Sequence, residues 1–152
     1  MTIGLFPMVA DVLHAGHVLA IEEAKQHCDY LIIALHCNPD YKSPVQTVYE
    51  RYMQLRAVKW VDEIIPYSNK ADIEKLLQSL NYDVYFLGED YRGKDFECCE
   101  ILEQMNKKVH YISRKLPDSF HPYHGNGYNR FNIYQKLGFD QIWFSENMTK
   151  IE

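Results

Sequence analysis

The chain has 152 residues, a length one domain fills while burying about 70% of the surface its unfolded form exposes. With 47% apolar and 14% aromatic residues it can build a core without covalent staples, and a formal net charge of −5 argues against nucleic acid, whose phosphate backbone needs a basic face. A mononucleotide asks only for local positive charge and stays open.

The thiols are Cys28, Cys37, Cys98 and Cys99; the adjacent pair suits neither a disulfide framework nor a C-x-x-C metal site, which predicts reduced thiols in a cytosol. No basic leader precedes the first strand-like run, and no apolar run approaches the roughly 20 residues that span a bilayer. The expectation is a cytoplasmic protein with no membrane partner.

In chain order, residues 2–9 read as a strand and 17–27 as a helix, with Val18, Ile21 and Ala24 spaced for one buried face. Residues 30–35 are continuously apolar, as expected of a strand covered on both faces. Residues 48–61 read as a helix, 63–67 as a brief strand stopped by Pro66, and 71–80 as a helix with Asp72 in its positive first turn. A buried strand over 83–87 ends at Gly88, followed by a helix over 96–106 and a last strand over 108–113. This alternation predicts a Rossmann-like α/β domain over residues 1–115, a five-stranded parallel sheet with helices on both faces. Residues 116–152 break the pattern and read as an irregular C-terminal tail, with a short helix over 131–137 ended by Gly138. Ligands of parallel sheets sit outside the carboxyl ends of the strands, which picks out residues 9–17, 35–42, 88–94 and 113 onward.

The most informative segment is Asp11-Val12-Leu13-His14-Ala15-Gly16-His17, between the first strand and the first helix. Two histidines three apart on one turn face the same side. Gly16 lets a phosphate approach the backbone. The helix beginning there offers unpaired amides and a positive dipole end to an anion.

With these residues the sequence resembles the HxGH nucleotidyltransferase superfamily. The resemblance continues for about 115 residues, most strongly towards the glycerol-3-phosphate cytidylyltransferase branch. Glu50-Arg51, the run Val61 to Pro66, the block Asp83 to Lys94 and Arg114 fall where that branch has its own blocks, in the same order. The resemblance implies in-line attack by a substrate phosphate oxygen on the α-phosphate of CTP, with release of pyrophosphate and no covalent intermediate. Catalysis of this kind rests on positioning and charge stabilisation.

By the same resemblance His14 and His17 would donate to the α-phosphate, and Lys42 would help bind phosphates, unless it is a solvated loop lysine. Nucleotide contacts are expected from Val9, Ala10, Asp11, Gly16, Gly88, Asp90, Tyr91, Arg114 and Ser119. For Asp11 a structural cap on the turn is the alternative, for Tyr91 simple packing, and for Arg114 a surface ion pair. Arg51 and Asp62 read as structural or dimer-interface groups. Mg2+ would arrive with the triphosphate, since the sequence shows no protein-only metal cage. The resemblance also implies a homodimer.

Two departures stand out. Met8-Val9-Ala10-Asp11 replaces the family's Gly-Thr/Ala-Phe-Asp, a drift expected to alter substrate rather than abolish binding. Asp118-Ser119-Phe120-His121-Pro122 replaces a Ser/Thr-rich helix start that holds the β and γ phosphates, and only Ser119 matches. This tail is expected to limit activity. The stretch from His121 to Arg130, continuing through Leu137 to Asp140, is similar to a block in lipoteichoic-acid-synthase-like phosphoglycerol transferases, without their nucleophile and metal ligands. Three functions stay in view: a cytidylyltransferase acting on a small phosphorylated alcohol such as glycerol 3-phosphate, an adenylyltransferase acting on a sugar phosphate, and a catalytically impaired nucleotide-binding protein.

Overall fold

The computed structural model describes residues 1–41, 43–94 and 96–113. Strands β1 (Ile3–Met8), β2 (Tyr30–His36), β3 (Glu63–Tyr67), β4 (Val84–Gly88) and β5 (Lys108–Ile112) form one sheet in the order β3-β2-β1-β4-β5. Every pairing is parallel. Helices α1 (Ala15–Gln26), α2 (Val48–Arg56), α3 (Lys70–Ser79) and α4 (Cys99–Gln104) connect them, with a single 3-10 turn at Glu89–Tyr91. The chain builds outward from β1 to β3, then returns to the other side of β1 for β4 and β5. Strand order therefore reverses between β1 and β4, where the two connections part and leave a crevice at the carboxyl edge.

The period of two along each strand divides the core. Phe6, Leu31, Ile33, Leu35, Val84 and Phe86 pack with Ile21 and Ala24 of α1 and Leu55 of α2. Leu5, Ile32, Ala34 and Tyr85 face the opposite way, against Ile73 and Leu77 of α3 and Leu102 of α4. Both faces of the central strands are thus covered, which explains the unbroken apolar run of β2. Each fully buried aliphatic side chain contributes about 1.5–3 kcal/mol of burial free energy. Gly4 is required where β1 crosses the first of these layers: a Cβ there would stand 2.5 Å from the Phe86 ring and 2.8 Å from Cys28 Sγ.

Element boundaries differ from the sequence reading for local reasons. Helix α1 starts at Ala15, ahead of the expected residue 17, because His14 caps it. Helix α2 stops at Arg56, short of the expected residue 61. The intervening residues turn the chain towards β3, and Asp62 reaches the sheet, its amide donating to Leu31 O and its carboxylate accepting from Leu31 N. Pro66 does not stop β3, which runs on to Tyr67. This strand lies at the sheet edge, where a missing N–H costs no ladder bond. Helix α4 is shorter than the expected 96–106, because Cys98 at its N-cap is left-handed, with φ 72°. The 3-10 turn after Gly88 was not anticipated. The tail, with its expected helix over 131–137, lies outside the described residues.

Candidate functional site

The start of α1 is closed by its two histidines. Gly16 N donates to His14 Nδ1 at 2.9 Å, and His14 N donates to His17 Nδ1 at 3.2 Å. This reproduces the reciprocal geometry of a Ser-x-x-Glu capping box with imidazoles in both places. A ring nitrogen that accepts an amide proton carries a lone pair, so each neutral ring holds its own proton on Nε2. The rings lie 4.1 Å apart, tilted by 35°. Two Nε2–H donors are therefore fixed side by side at the positive end of a helix dipole. Burial lowers the His14 pKa to about 4, so this ring acts at neutral pH as a neutral donor.

The loop leading into α1 is held in an unfavourable backbone shape. Ala10 and Val12 have φ of 55° and 49°, a region L side chains rarely adopt and β-branched ones least of all. Such residues cost about 1–3 kcal/mol each and persist where their surroundings over-determine them. Gln46 Oε1 accepts from Val12 N at 2.7 Å, and Gln54 Oε1 accepts from Leu13 N at 3.4 Å. The Asp11 carboxylate accepts from Val45 N and Gln46 N at 2.8 and 2.9 Å. Arg51, only 1% exposed, donates to Val9 O, His36 O, Cys37 O and Gln46 O at 2.8–3.2 Å. One buried guanidinium thereby joins the carboxyl ends of β1 and β2 to the segment entering α2. This settles Arg51 as a structural group, as its sequence position suggested. Asp62 has a separate structural role, bonded to Lys25 Nζ and Leu31 N.

These elements surround a cleft of about 370 Å3 that runs over the carboxyl edge of the sheet. On the α1 side its wall includes Val9, Ala10, Gly16, His17, Gly88 and Ser113. Glu23 of α1 fixes that wall, accepting from Ser113 N and pairing with His110 Nε2, all near 3.1 Å. On the α3/α4 side the wall is aromatic, with His36, Tyr41, Tyr67, Tyr85, Tyr91 and Phe96, joined by Glu97. His36 stacks on Tyr67 at 4.6 Å, and Tyr85 on Phe96 at 6.4 Å. Burial lowers the His36 pKa and drives the Tyr67 and Tyr85 phenols far above their ordinary value, so all three are uncharged at neutral pH.

Of the residues singled out in the sequence, Val9, Ala10, Gly16, His17, Gly88 and Tyr91 meet in this cleft. His14 is not part of its wall but lies against His17. Asp90 is exposed on the 3-10 turn and does not line the cleft either. The Asp11 carboxylate is spent on loop amides, the capping alternative, although its own loop borders the site. Lys42, Arg114 and Ser119 lie outside the described residues. Sequence reasoning did not find Gln46, Gln54 or, Tyr91 apart, the aromatic wall. The glutamines act through side-chain contacts to a loop 34 and 41 residues away, which no spacing rule announces. The tyrosines had a weak signal: the chain has 12 of them, and Tyr67 ends a strand.

Comparison with known proteins agrees with this arrangement. Residues 5–145 match the family described as cytidylyltransferase-like. The chain is 33% identical over 99 residues to a glycerol-3-phosphate cytidylyltransferase of Bacillus subtilis, covering 60% of this chain and 77% of that protein. It is 34% identical to an ethanolamine-phosphate cytidylyltransferase of Dictyostelium discoideum, covering 56% of this chain but only 26% of that longer protein. Among solved structures, a lipopolysaccharide core biosynthesis protein from Thermoplasma volcanium shares the fold, with a TM-score of 0.64 at 24% identity over 74% of this chain and 97% of its own. No helix among the described residues is long and apolar enough to cross a membrane. The chain belongs to the cytidylyltransferase-like family and is a nucleotidyltransferase.

Proposed function

We propose that the chain transfers CMP from CTP to a small phosphorylated alcohol of the glycerol 3-phosphate kind, releasing pyrophosphate. The observation that carries this reading is the imidazole pair whose Nδ1 atoms cap α1 and whose rings lie side by side at its start. An oxygen of the acceptor phosphate forms a bond to the α-phosphorus of CTP as the bond to the bridging oxygen breaks, and the pair of electrons leaves with pyrophosphate. Negative charge rises on the α-phosphate oxygens during this step. His17 and His14 donate to those oxygens, and the first amides of α1 add their dipoles. Because the rings are already fixed by the cap, little reorganisation opposes the reaction. Val9, Ala10 and Gly88 supply backbone against the nucleotide, and Tyr91, which lines the cleft where Asp90 does not, borders the ribose and base. By the family resemblance Lys42, Arg114 and Ser119, which lie outside the described residues, would add to the grip on the phosphates.

Glu97 is the one carboxylate in the cleft wall among the described residues, a donor set too poor to cage a divalent cation. Mg2+ would enter this site with the triphosphate and would supply neutralisation of charge on the phosphate oxygens. The test is pyrophosphate release with CTP or ATP across a panel of phosphorylated alcohols and sugar phosphates. The expected result is turnover with CTP and an alcohol phosphate. Turnover with ATP alone, or none with any pair, overturns the reading.

A further inference from the structure

Strand β5 lies at the edge of the sheet, and its ladder with β4 ends at the Gly88–Ile112 pair. Ser113 lines the cleft one residue past that ladder, where a helix side chain takes over from the sheet. Both carboxylate oxygens of Glu23 accept from Ser113 N, at 3.2 and 3.1 Å. The contact joins residues 90 apart in sequence and ties α1 to the exit of β5.

The carboxylate is itself held in place. His110 Nε2 lies 3.1 Å from Glu23 Oε2, and a carboxylate oxygen only accepts, so that nitrogen carries a proton. Two further rings fix the His110 imidazole. His27, the C-cap of α1, stacks on it at 3.9 Å, and Phe86 of β4 meets it edge-on at 5.7 Å. Helix α1 therefore grips β5 at two points, through Glu23 and through His27. The same helix carries Gly16 and His17 at its start, both on the cleft wall. One rigid element thus sets the place of His17 and of Ser113 together. Glu23 does not line the cleft, so its influence on a ligand passes through the Ser113 amide.

We propose that Glu23, backed by His110 and His27, is a positioning residue for the nucleotide. It holds the end of β5 in register with the start of α1, so that the wall they share is shaped before the nucleotide arrives. A pre-shaped wall spares the bound state the cost of ordering it. The proposal rests on the cytidyl-transfer reading only for which nucleotide fills the cleft.

A double-mutant cycle on the full chain tests it. Glu23→Ala removes the acceptor with a residue that favours helix. Ser113→Pro removes the N–H, and the extended backbone of Ile112 before it accommodates a proline. Neither position belongs to the buried core. CTP and ATP are titrated calorimetrically on the native protein, both single variants and the double variant, with Tm recorded for each. Pyrophosphate release is followed with CTP and glycerol 3-phosphate. Each single substitution weakens binding of the preferred nucleotide about tenfold and lowers kcat/KM equally, while kcat stays within about threefold because the histidines keep their places. The double variant binds within about threefold of either single one, since both changes break the same bond. Single variants whose nucleotide affinity moves less than about threefold, whatever their Tm, overturn the proposal, as does an additive loss of about a hundredfold in the double variant. A native protein that binds neither nucleotide overturns it as well. The predicted cycle without pyrophosphate release from CTP overturns cytidyl transfer and leaves the positioning role standing. Turnover with CTP alongside unmoved affinities does the reverse.

Discussion

The two sides of the carboxyl edge are held by different physics. On the α1 side, directional hydrogen bonds fix a strained loop: Asp11, Gln46, Gln54 and Arg51 all act on backbone groups, and the histidines cap the helix. On the α3/α4 side, rings stack and pack, and Glu97 brings charge without an ion-pair partner among the described residues. A transfer reaction needs donors aimed at one developing charge, which only a pre-organised backbone provides. Packed rings provide shape and an average field with less rigid geometry. Damage to the first side should therefore appear in rate and stability, and damage to the second in selectivity.

The largest effect is expected at His17. His17→Ala should lower kcat for pyrophosphate release about 10²–10³-fold, the usual loss for one fixed donor, with an unchanged circular dichroism spectrum. A near-native rate in the folded variant would erase the distinction between the two sides. Next comes Arg51→Met, which keeps volume but leaves the carbonyls of Val9, His36, Cys37 and Gln46 without their donor. Leaving buried acceptors unpaired predicts a loss of about 3–5 kcal/mol. At this chain length that lowers Tm by roughly 10 °C. Urea unfolding that moves by less than about 1 kcal/mol would show that the strained loop does not depend on this anchor.

A smaller effect is expected from pH. Burial holds the folded-state His14 pKa near 4, below its ordinary 6.5. Between those values the unfolded chain binds the proton more readily, so stability is lost as pH falls from about 6.5 towards 4. Allowing for partial exposure the loss is about 1–2 kcal/mol, and His14→Gln should flatten that slope. An equally steep slope in the variant would assign it to other groups, His27 among them, whose pKa is also lowered by its surroundings.

How much of this was legible in the sequence follows from the range of the forces involved. Local rules found the five strands, since the apolar runs Ile3 to Met8 and Tyr30 to Leu35 report burial directly. They found the histidine turn, because His14, Gly16 and His17 share one helical turn. They erred at ends of elements: the N-cap role of His14 hid the true start of α1, and the left-handed Cys98 shortened α4. The grip of Arg51 and the glutamines on the first loop was invisible, since each bond joins residues far apart in sequence whose pairing only the folded sheet decides. For Asp11 both readings were open, and the bonds to Val45 N and Gln46 N favour the structural one.

The central claim is that paired Nε2–H donors at the start of α1 meet the α-phosphate of CTP. Nitrogen-15 correlation spectra of the histidine rings, recorded at pH 7.5 with and without CTP, test it most directly. The account predicts that His14 and His17 are neutral with protons on Nε2, and that saturating CTP shifts those Nε2 resonances more than the ring signals of His27 or His110. Protons on Nδ1, or Nε2 resonances that stay in place at saturating CTP, would contradict it.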